Sequence, residues 1–426
     1  MRRYPAPQRL TAQVSLSLAI RVLGALAGFL TTVIIGQQLG AEQGGYFFWA
    51  FGLVMVLATT GRVGFDSTVV RFTGIACAER DFATVRSVLL RAMLAALACS
   101  SCIGVILYFS SSNIALRVLG EGAAQPVLAC AVPAVVFVAL YNLAARSLQG
   151  QRRPLAAIAI LSICKNLALA GLLFFGDLRV APQVALAFSM AALITCVLGY
   201  LLALRGTVAG SSAVSWRALF HSCLPLWVIA VLAQLTQWSG QLVAGAWVES
   251  AELAQFAVAQ RCAMLVSLVL VAVNVVVAPR FAAIYHRGDM QQLERLAIRS
   301  VQLMLAGATP IVVALLLYPE WFMRLFGEGF AGGAGLLRIL VIGQFINIMT
   351  GSVGALLNMS GHERDMRNMV LISGPLAIAG ALLLAPQYGV TGCAVSTAVA
   401  VAAQNLLAVL MVKKRLGFNT LRVWKT

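Results

Sequence analysis

Roughly twelve runs of about 20 apolar residues follow one another along this chain, and no soluble architecture buries that many. They fall near 14–36, 45–66, 84–109, 125–148, 154–175, 182–204, 222–247, 253–278, 294–318, 333–359, 366–386 and 390–412. The hydrocarbon of a bilayer is about 30 Å thick, a distance that about 20 helical residues cross. Runs this long exceed the alternating strands of a membrane barrel, so each is expected to be a helix. The composition agrees: 61% of the residues are hydrophobic and 11% are charged, where a soluble domain carries about 25% charged residues. The first run is longer than a signal-peptide core and no small-residue cleavage site comes after it, so it is expected to stay as a span. An all-α, polytopic membrane protein is the expectation.

The two halves of the chain repeat one plan. Gly36 and Arg71-Phe72 recur as Gly245 and Arg280-Phe281, 209 residues later. Phe47, Ala50, Met55, Ile75 and Arg86 fall on Phe256, Ala259, Met264, Ile284 and Arg295 in that register. Leu116–Gly122 matches Met323–Gly329 at an offset of 207, and Gly150 pairs with Gly361 at 211. Two six-helix lobes in the same orientation are implied, over 1–205 and 222–426, joined by a linker at 206–221 that contains Gly206, Gly210, Ser211 and Ser212. Such repeats are a common basis of alternating access.

The formal net charge of +17 comes from short loop clusters rather than one continuous face, so no nucleic-acid partner is expected. Placing the termini and even-numbered loops on one side collects twenty-three Lys and Arg there, Arg2, Arg3, Arg9, Arg422 and Lys425 among them. The opposite side keeps Arg117, Arg179 and Arg324. Positive loops stay inside, which puts both termini in the cytoplasm. The nine cysteines show no pairing or metal spacing and read as small packing residues.

Five basic residues remain within the spans: Arg21, Arg62, Lys165, Arg261 and Arg338, against one carboxylate, Asp66. A charge in hydrocarbon costs about 2.5–3.5 kcal/mol, so such residues face water or a partner. Five cations and one carboxylate describe a site for an anion. Arg62 and Asp66, four apart on one helical face, read equally as an ion pair or as a substrate contact. Arg338, early in its span, could snorkel outward instead. Gln234, Gln237 and Gln241 share a face with Trp238 on the seventh span, and Gln344 and Asn347 share one on the tenth. These amides suit sugar hydroxyls or helix–helix hydrogen bonds alike. No nucleophile with its base, metal cluster or phosphate-cradling glycine loop appears, so no enzyme activity, metal or cofactor is expected.

Leu39-Gly40-Ala41-Glu42 with Gly45-Tyr46-Phe47, then Gly64 through Val70-Arg71-Phe72, resembles the first-lobe signature of polysaccharide flippases. These are the O-antigen and exopolysaccharide exporters of the multidrug/oligosaccharidyl-lipid/polysaccharide (MOP) superfamily. Leu224-Pro225, Pro279-Arg280-Phe281, Leu357–Arg364 and Tyr388–Ala394 are similar to the second-lobe pattern. The resemblance implies a MATE-like fold with a cavity between lobes that opens alternately to each side. It also implies an undecaprenyl-diphosphate-linked oligosaccharide as substrate, membrane lipid as surroundings, and a glycan polymerase and glycosyltransferases as partners. The seventh span reads Ser239-Gly240-Gln241 where many relatives carry an Asp, so ion coupling through a carboxylate there is not expected. Twelve spans rather than fourteen set it apart from lipid II flippases. A cation-coupled multidrug exporter of the same superfamily is the first alternative and a scaffold for glycan-synthesis enzymes the second.

Overall fold

The computed structural model describes residues 7–210 and 214–421. Arg2, Arg3, the side chain of Arg9, Ser211, Ser212, Arg422 and Lys425 lie outside the described residues. Among the described residues every regular element is helical, as a chain with this hydropathy must be in lipid, where unpaired backbone groups have no water to bond.

The N-terminal half holds α1 (Pro7–Gly61), α2 (Phe65–Ala78), α3 (Phe82–Arg117), α4 (Ala124–Gly150), α5 (Pro154–Ala159), α6 (Lys165–Gly176) and α7 (Ala181–Leu204). The C-terminal half holds α8 (Trp216–Ala244), α9 (Ser250–His286), α10 (Met290–Leu317), α11 (Pro319–Arg324), α12 (Ala334–Thr350), α13 (Val353–Met359) and α14 (Glu363–Leu416). A π turn, Ile160–Cys164, joins α5 to α6, and a 3-10 turn, Glu328–Gly333, precedes α12. Among the described residues ten stretches are long and apolar enough to cross a membrane. Two of them are double. Helix α1 breaks at Gly40 (φ 68°, ψ −174°), and α14 breaks at Gly389 (φ 55°, ψ −137°). Both conformations are nearly closed to residues with a Cβ, so each glycine divides one long stretch into two helices at the point where the sequence separates two of its twelve apolar runs.

The chain groups by contact into two compact units, one running from Ser15 to Trp238 and the other from Ser239 onward together with residues 7–14. Helix α8 thus contributes its first part to one unit and its end to the other. Within the first unit, Trp227 Nε1 donates to the Thr60 carbonyl at 2.9 Å, and the Phe65 and Phe220 rings meet edge to face at 5.6 Å. Small residues set the helix spacing in both units. A Cβ on Gly199 would lie 3.1 Å from Ala144 Cβ, and one on Gly343 only 2.8 Å from Ala398 Cβ, the close approach that membrane helices use in place of a hydrophobic drive.

The repeat survives in backbone detail and corrects two pairings. Arg80 (φ 61°) and Gly288 (φ 75°) adopt the same left-handed turn. Each precedes an aspartate N-cap: Asp81 accepts from the Thr84 N–H at 2.9 Å and Asp289 from the Gln292 N–H at 2.8 Å. Thr84's side chain and N–H, with Ala83's N–H, hold the Asp81 carboxyl below the usual carboxylate range. These caps are 208 residues apart, so Arg86 falls on Glu294 rather than on Arg295, the second copy having lost a loop residue. In the next such loop Arg153 N–H bonds Leu148 O and His362 N–H bonds Leu357 O, both 2.9 Å. That register is 209, which aligns Gly361 with Arg152 and Gly150 with Met359.

Candidate functional site

In the first unit the π turn decides where Lys165 points. A π turn inserts one residue into a helix and re-aims the side chains beyond it, and such turns collect at functional sites. Lys165 begins the helix after the turn, with Nζ 5.5 Å from the ring centre of Phe51 and 5.7 Å from that of Phe188. Phe51 and Phe188 are 5.2 Å apart, and Trp238 meets Phe51 edge-on at 5.5 Å. Phe188 and Trp238 are buried while Lys165 is half-buried. An ammonium on aromatic faces gains about 0.5–2 kcal/mol, which helps to hold it in place.

Arg21 approaches the same turn along α1. Gly24, one turn further on, packs on Ser162, and Gly28 packs on Asn166. Asn166 Nδ2 donates to the Ser162 carbonyl at 2.9 Å, and Thr31 Oγ1 donates to the Asn166 carbonyl at 3.3 Å. The helices carrying Arg21 and Lys165 are therefore fastened to each other through glycine contacts. Arg21 itself is exposed.

Arg62 and Asp66 do not share one helix. Helix α1 ends at Gly61, Val63 (φ 50°) and Gly64 (φ 75°) form a left-handed turn, and Asp66 lies in the first turn of α2. A Cβ on Gly64 would lie 2.4 Å from the Cys223 carbonyl oxygen, so the break lets α8 come close. Arg62 still reaches Asp66 across it, Nη1 to Oδ1 at 3.2 Å, and Nη2 donates to Thr59 Oγ1 at 2.7 Å. Arg146 from α4 adds a second cation, 3.6 Å from the same oxygen. By sequence Arg146 counts among the loop residues, so its part in this cluster is new. A signal for it exists: a carboxylate at a span end attracts every cation within reach.

The second unit holds the remaining candidates separately. Arg261 is half-buried on α9 and Arg338 is exposed near the start of α12. Gln344 Oε1 accepts from Ser267 Oγ at 2.7 Å and from Asn347 Nδ2 at 3.3 Å, so these amides serve contact between α9 and α12. Along α8, Gln234 is half-buried, Gln237 exposed and Gln241 buried. In the second unit's share of α8, Gly240 packs against Thr397 and Phe256. The aromatic wall of Phe51, Phe188 and Trp238 is not readable as a unit from sequence. Its members lie on three spans, and spacing within one span cannot reveal them.

Three comparisons bear on identity. Among proteins of curated function none matches the sequence. The fold matches an inward-facing MATE multidrug resistance transporter of the MOP superfamily (TM-score 0.73, 16% identity, 95% of this chain and 98% of that one). It also matches the lipid II flippase MurJ in an inward closed conformation (TM-score 0.76, 14% identity, 93% and 87%). A third likeness is to a MOP superfamily transporter from Pyrococcus furiosus described by the reverse polarity of its binding pocket (TM-score 0.58, 17% identity, 98% and 96%). At these identities they establish the two-lobe MOP fold. The family model for polysaccharide biosynthesis proteins matches residues 10–285, and the chain, a multi-pass helical membrane protein, belongs to that family.

Proposed function

We propose that this protein is a lipid-linked oligosaccharide flippase, carrying undecaprenyl-diphosphate-linked glycan units from the cytoplasmic to the periplasmic leaflet for cell-surface polysaccharide. The observation that carries the reading is the pairing of charge. The spans hold five cations and one carboxylate, and Asp66 pairs with Arg62 and Arg146, so the spans carry a net positive charge. A positive interior suits a diphosphate. Lys165, set on aromatic faces, and Arg21, on a helix locked to the same π turn, are its principal contacts in the first lobe; Arg261 and Arg338 add charge from the second. Gln234, Gln237, Gln241 and Asn347 would face the hydrated glycan, and the polyprenyl tail stays in lipid. The repeat supplies lobes that alternate access, divided at the linker 206–221, with both termini cytoplasmic. O-antigen or exopolysaccharide units are the cargo, delivered by glycosyltransferases and consumed by a polymerase.

The interior-negative potential contributes about 2.3 kcal/mol per charge per 100 mV, so a substrate with two negative charges gains about 4–5 kcal/mol on moving outward. Arg21→Ala and Lys165→Ala, made singly, should each reduce surface glycan in a strain lacking the native exporter while protein levels stay normal. Unchanged glycan in both would remove these residues from the site. A multidrug exporter shares the fold, but cationic drugs call for acidic cavity residues. Resistance gained in an efflux-deficient strain would favour that reading over ours. A scaffold would support glycan synthesis without moving lipid, so flipping by the purified protein in liposomes separates it.

A further inference from the structure

At the end of the second lobe that carries Arg280, Arg287 and Arg364 lies a cavity of about 510 Å³, lined by Ala282, Tyr285, His286, Met290, Met359 and Ser360. The repeat shows that this opening departs from the common scaffold. In the 209 register, Ala282 falls on Thr73, Met359 on Gly150, His286 on Cys77, Ser360 on Gln151 and Tyr285 on Ala76. The first lobe closes the same seam. A Cβ on Gly150 would lie 1.9 Å from Thr73 Oγ1 and 2.8 Å from the Val70 carbonyl oxygen. There Cys77 Sγ reaches the Gln151 carbonyl at 4.0 Å, and Gln151 Nε2 is tied to the Ala203 carbonyl at 2.7 Å. The second lobe replaces a glycine–threonine zipper with an imidazole, a phenol, a hydroxyl and two thioethers around a hole.

The chemistry of that hole is specific. Ser360 Oγ and His362 Nδ1 share a hydrogen bond at 3.0 Å, and the His362 ring lies edge-on to Tyr285 at 6.4 Å. Asp289 turns an oxygen to the Gln292 N–H, and Asp365 is bound twice by Arg415, at 2.7 and 3.2 Å. Asp365 is thus paired and Asp289 caps a helix, while Glu294 and Glu363 stand against Arg280, Arg287, Arg295, Arg364 and Arg367 in the flanking chain. Ser360 Oγ also donates to the Leu357 carbonyl at 3.2 Å, so the donors turned to the cavity are the Tyr285 phenol and the His286 imidazole, and with the flanking arginines they favour an anion. The rim is apolar, with Met290 and Met359 each about two fifths exposed (40% and 41%), so the anion must also be amphiphilic. Basic pockets between membrane helices bind lipid headgroups in this way, and the volume falls within the usual ligand range of about 300–1,000 Å³.

We propose that this cavity binds the phosphodiester headgroup of an anionic membrane phospholipid, at a site present in the second lobe and closed in the first. The site is separate from the residues assigned to transport and does not depend on what is transported. Native mass spectrometry of the purified full-length protein, titrated with phosphatidylglycerol, tests it. Phosphatidylcholine is the neutral control and glycerol 3-phosphate the tail-free one. Tyr285→Ala with His286→Cys installs the first-lobe residues and should weaken the tightest phosphatidylglycerol site by about tenfold, leaving phosphatidylcholine retention unchanged. If that double variant does not fold, His286→Gln and Tyr285→Phe, which nearly keep side-chain volume, take its place with the same expectation. Phosphatidylglycerol binding at wild-type strength in the folded variants overturns the site. Equal retention of phosphatidylcholine, or full competition by glycerol 3-phosphate at equal concentration, overturns the anionic-lipid assignment.

Discussion

Arginine and lysine within a membrane span look alike in a sequence, yet the surroundings of Arg62 and Lys165 give them opposite roles. Arg62 is 11% exposed and Asp66 19% in their side chains, with Arg146 at 37% as the second partner. Removing the carboxylate leaves two guanidinium groups facing each other in a poorly solvated place. Asp66→Asn should therefore cost about 2 kcal/mol or more, below the 3–5 kcal/mol of a fully buried pair because Arg146 is partly wet. Lys165→Met keeps the aliphatic stem and adds a sulfur–aromatic contact, so its stability cost should stay below about 2 kcal/mol while flipping is lost. Thermal unfolding in detergent beside glycan display separates the two. If Lys165→Met unfolds the protein as readily as Asp66→Asn, its cation is structural. The spacing of Arg62 and Asp66 shows that they meet; what it hides is the turn between them, since Val63 at positive φ carries no sequence mark.

Helices are legible from hydropathy because about 20 apolar residues in lipid have one solution, but their breaks are legible only in part. Gly40 and Gly389 sit where the sequence already separates apolar runs. The π turn at Ile160–Cys164 is invisible there, since its residues are ordinary helix and strand formers and only the packing of Gly24 and Gly28 on Ser162 and Asn166 gives it a reason. Two glycines make the energetic point testable. A Cβ at Gly40 meets nothing within 4 Å, so Gly40→Ala should cost only the backbone strain of its φ and ψ, about 1–3 kcal/mol. Gly64→Ala adds a clash, 2.4 Å from Cys223 O and 2.9 Å from Trp227 N, and backbone cannot step aside as a side chain can. Chemical denaturation should rank Gly64→Ala well below Gly40→Ala. Equal midpoints would show that α8 yields to the intruding methyl.

Across the whole molecule the repeat supplies symmetry, and function is expected where symmetry fails. Arg21 falls on Ala230 and Arg261 on Gly52, so neither cation is a by-product of duplication, just as the lipid cavity opens in one lobe only. Sequence shows this asymmetry of residue type, whereas the closing of one seam and opening of the other need coordinates, because matching glycine to glycine pairs Gly150 with Gly361 and hides its true counterpart, Met359. The net positive charge of the spans has a consequence for energy coupling. An anion carried outward and a cationic carrier returning empty are both favoured by an interior-negative potential, at about 2.3 kcal/mol per charge per 100 mV. Flipping of a diphosphate-linked lipid in proteoliposomes should then accelerate when a potassium diffusion potential is imposed, with sodium and proton gradients absent. Clamping the potential to zero should return the rate to its basal value. A rate indifferent to voltage and responsive to a proton or sodium gradient would mean that a titrating or ion-binding group drives the cycle, and that the fixed cations only bind the cargo.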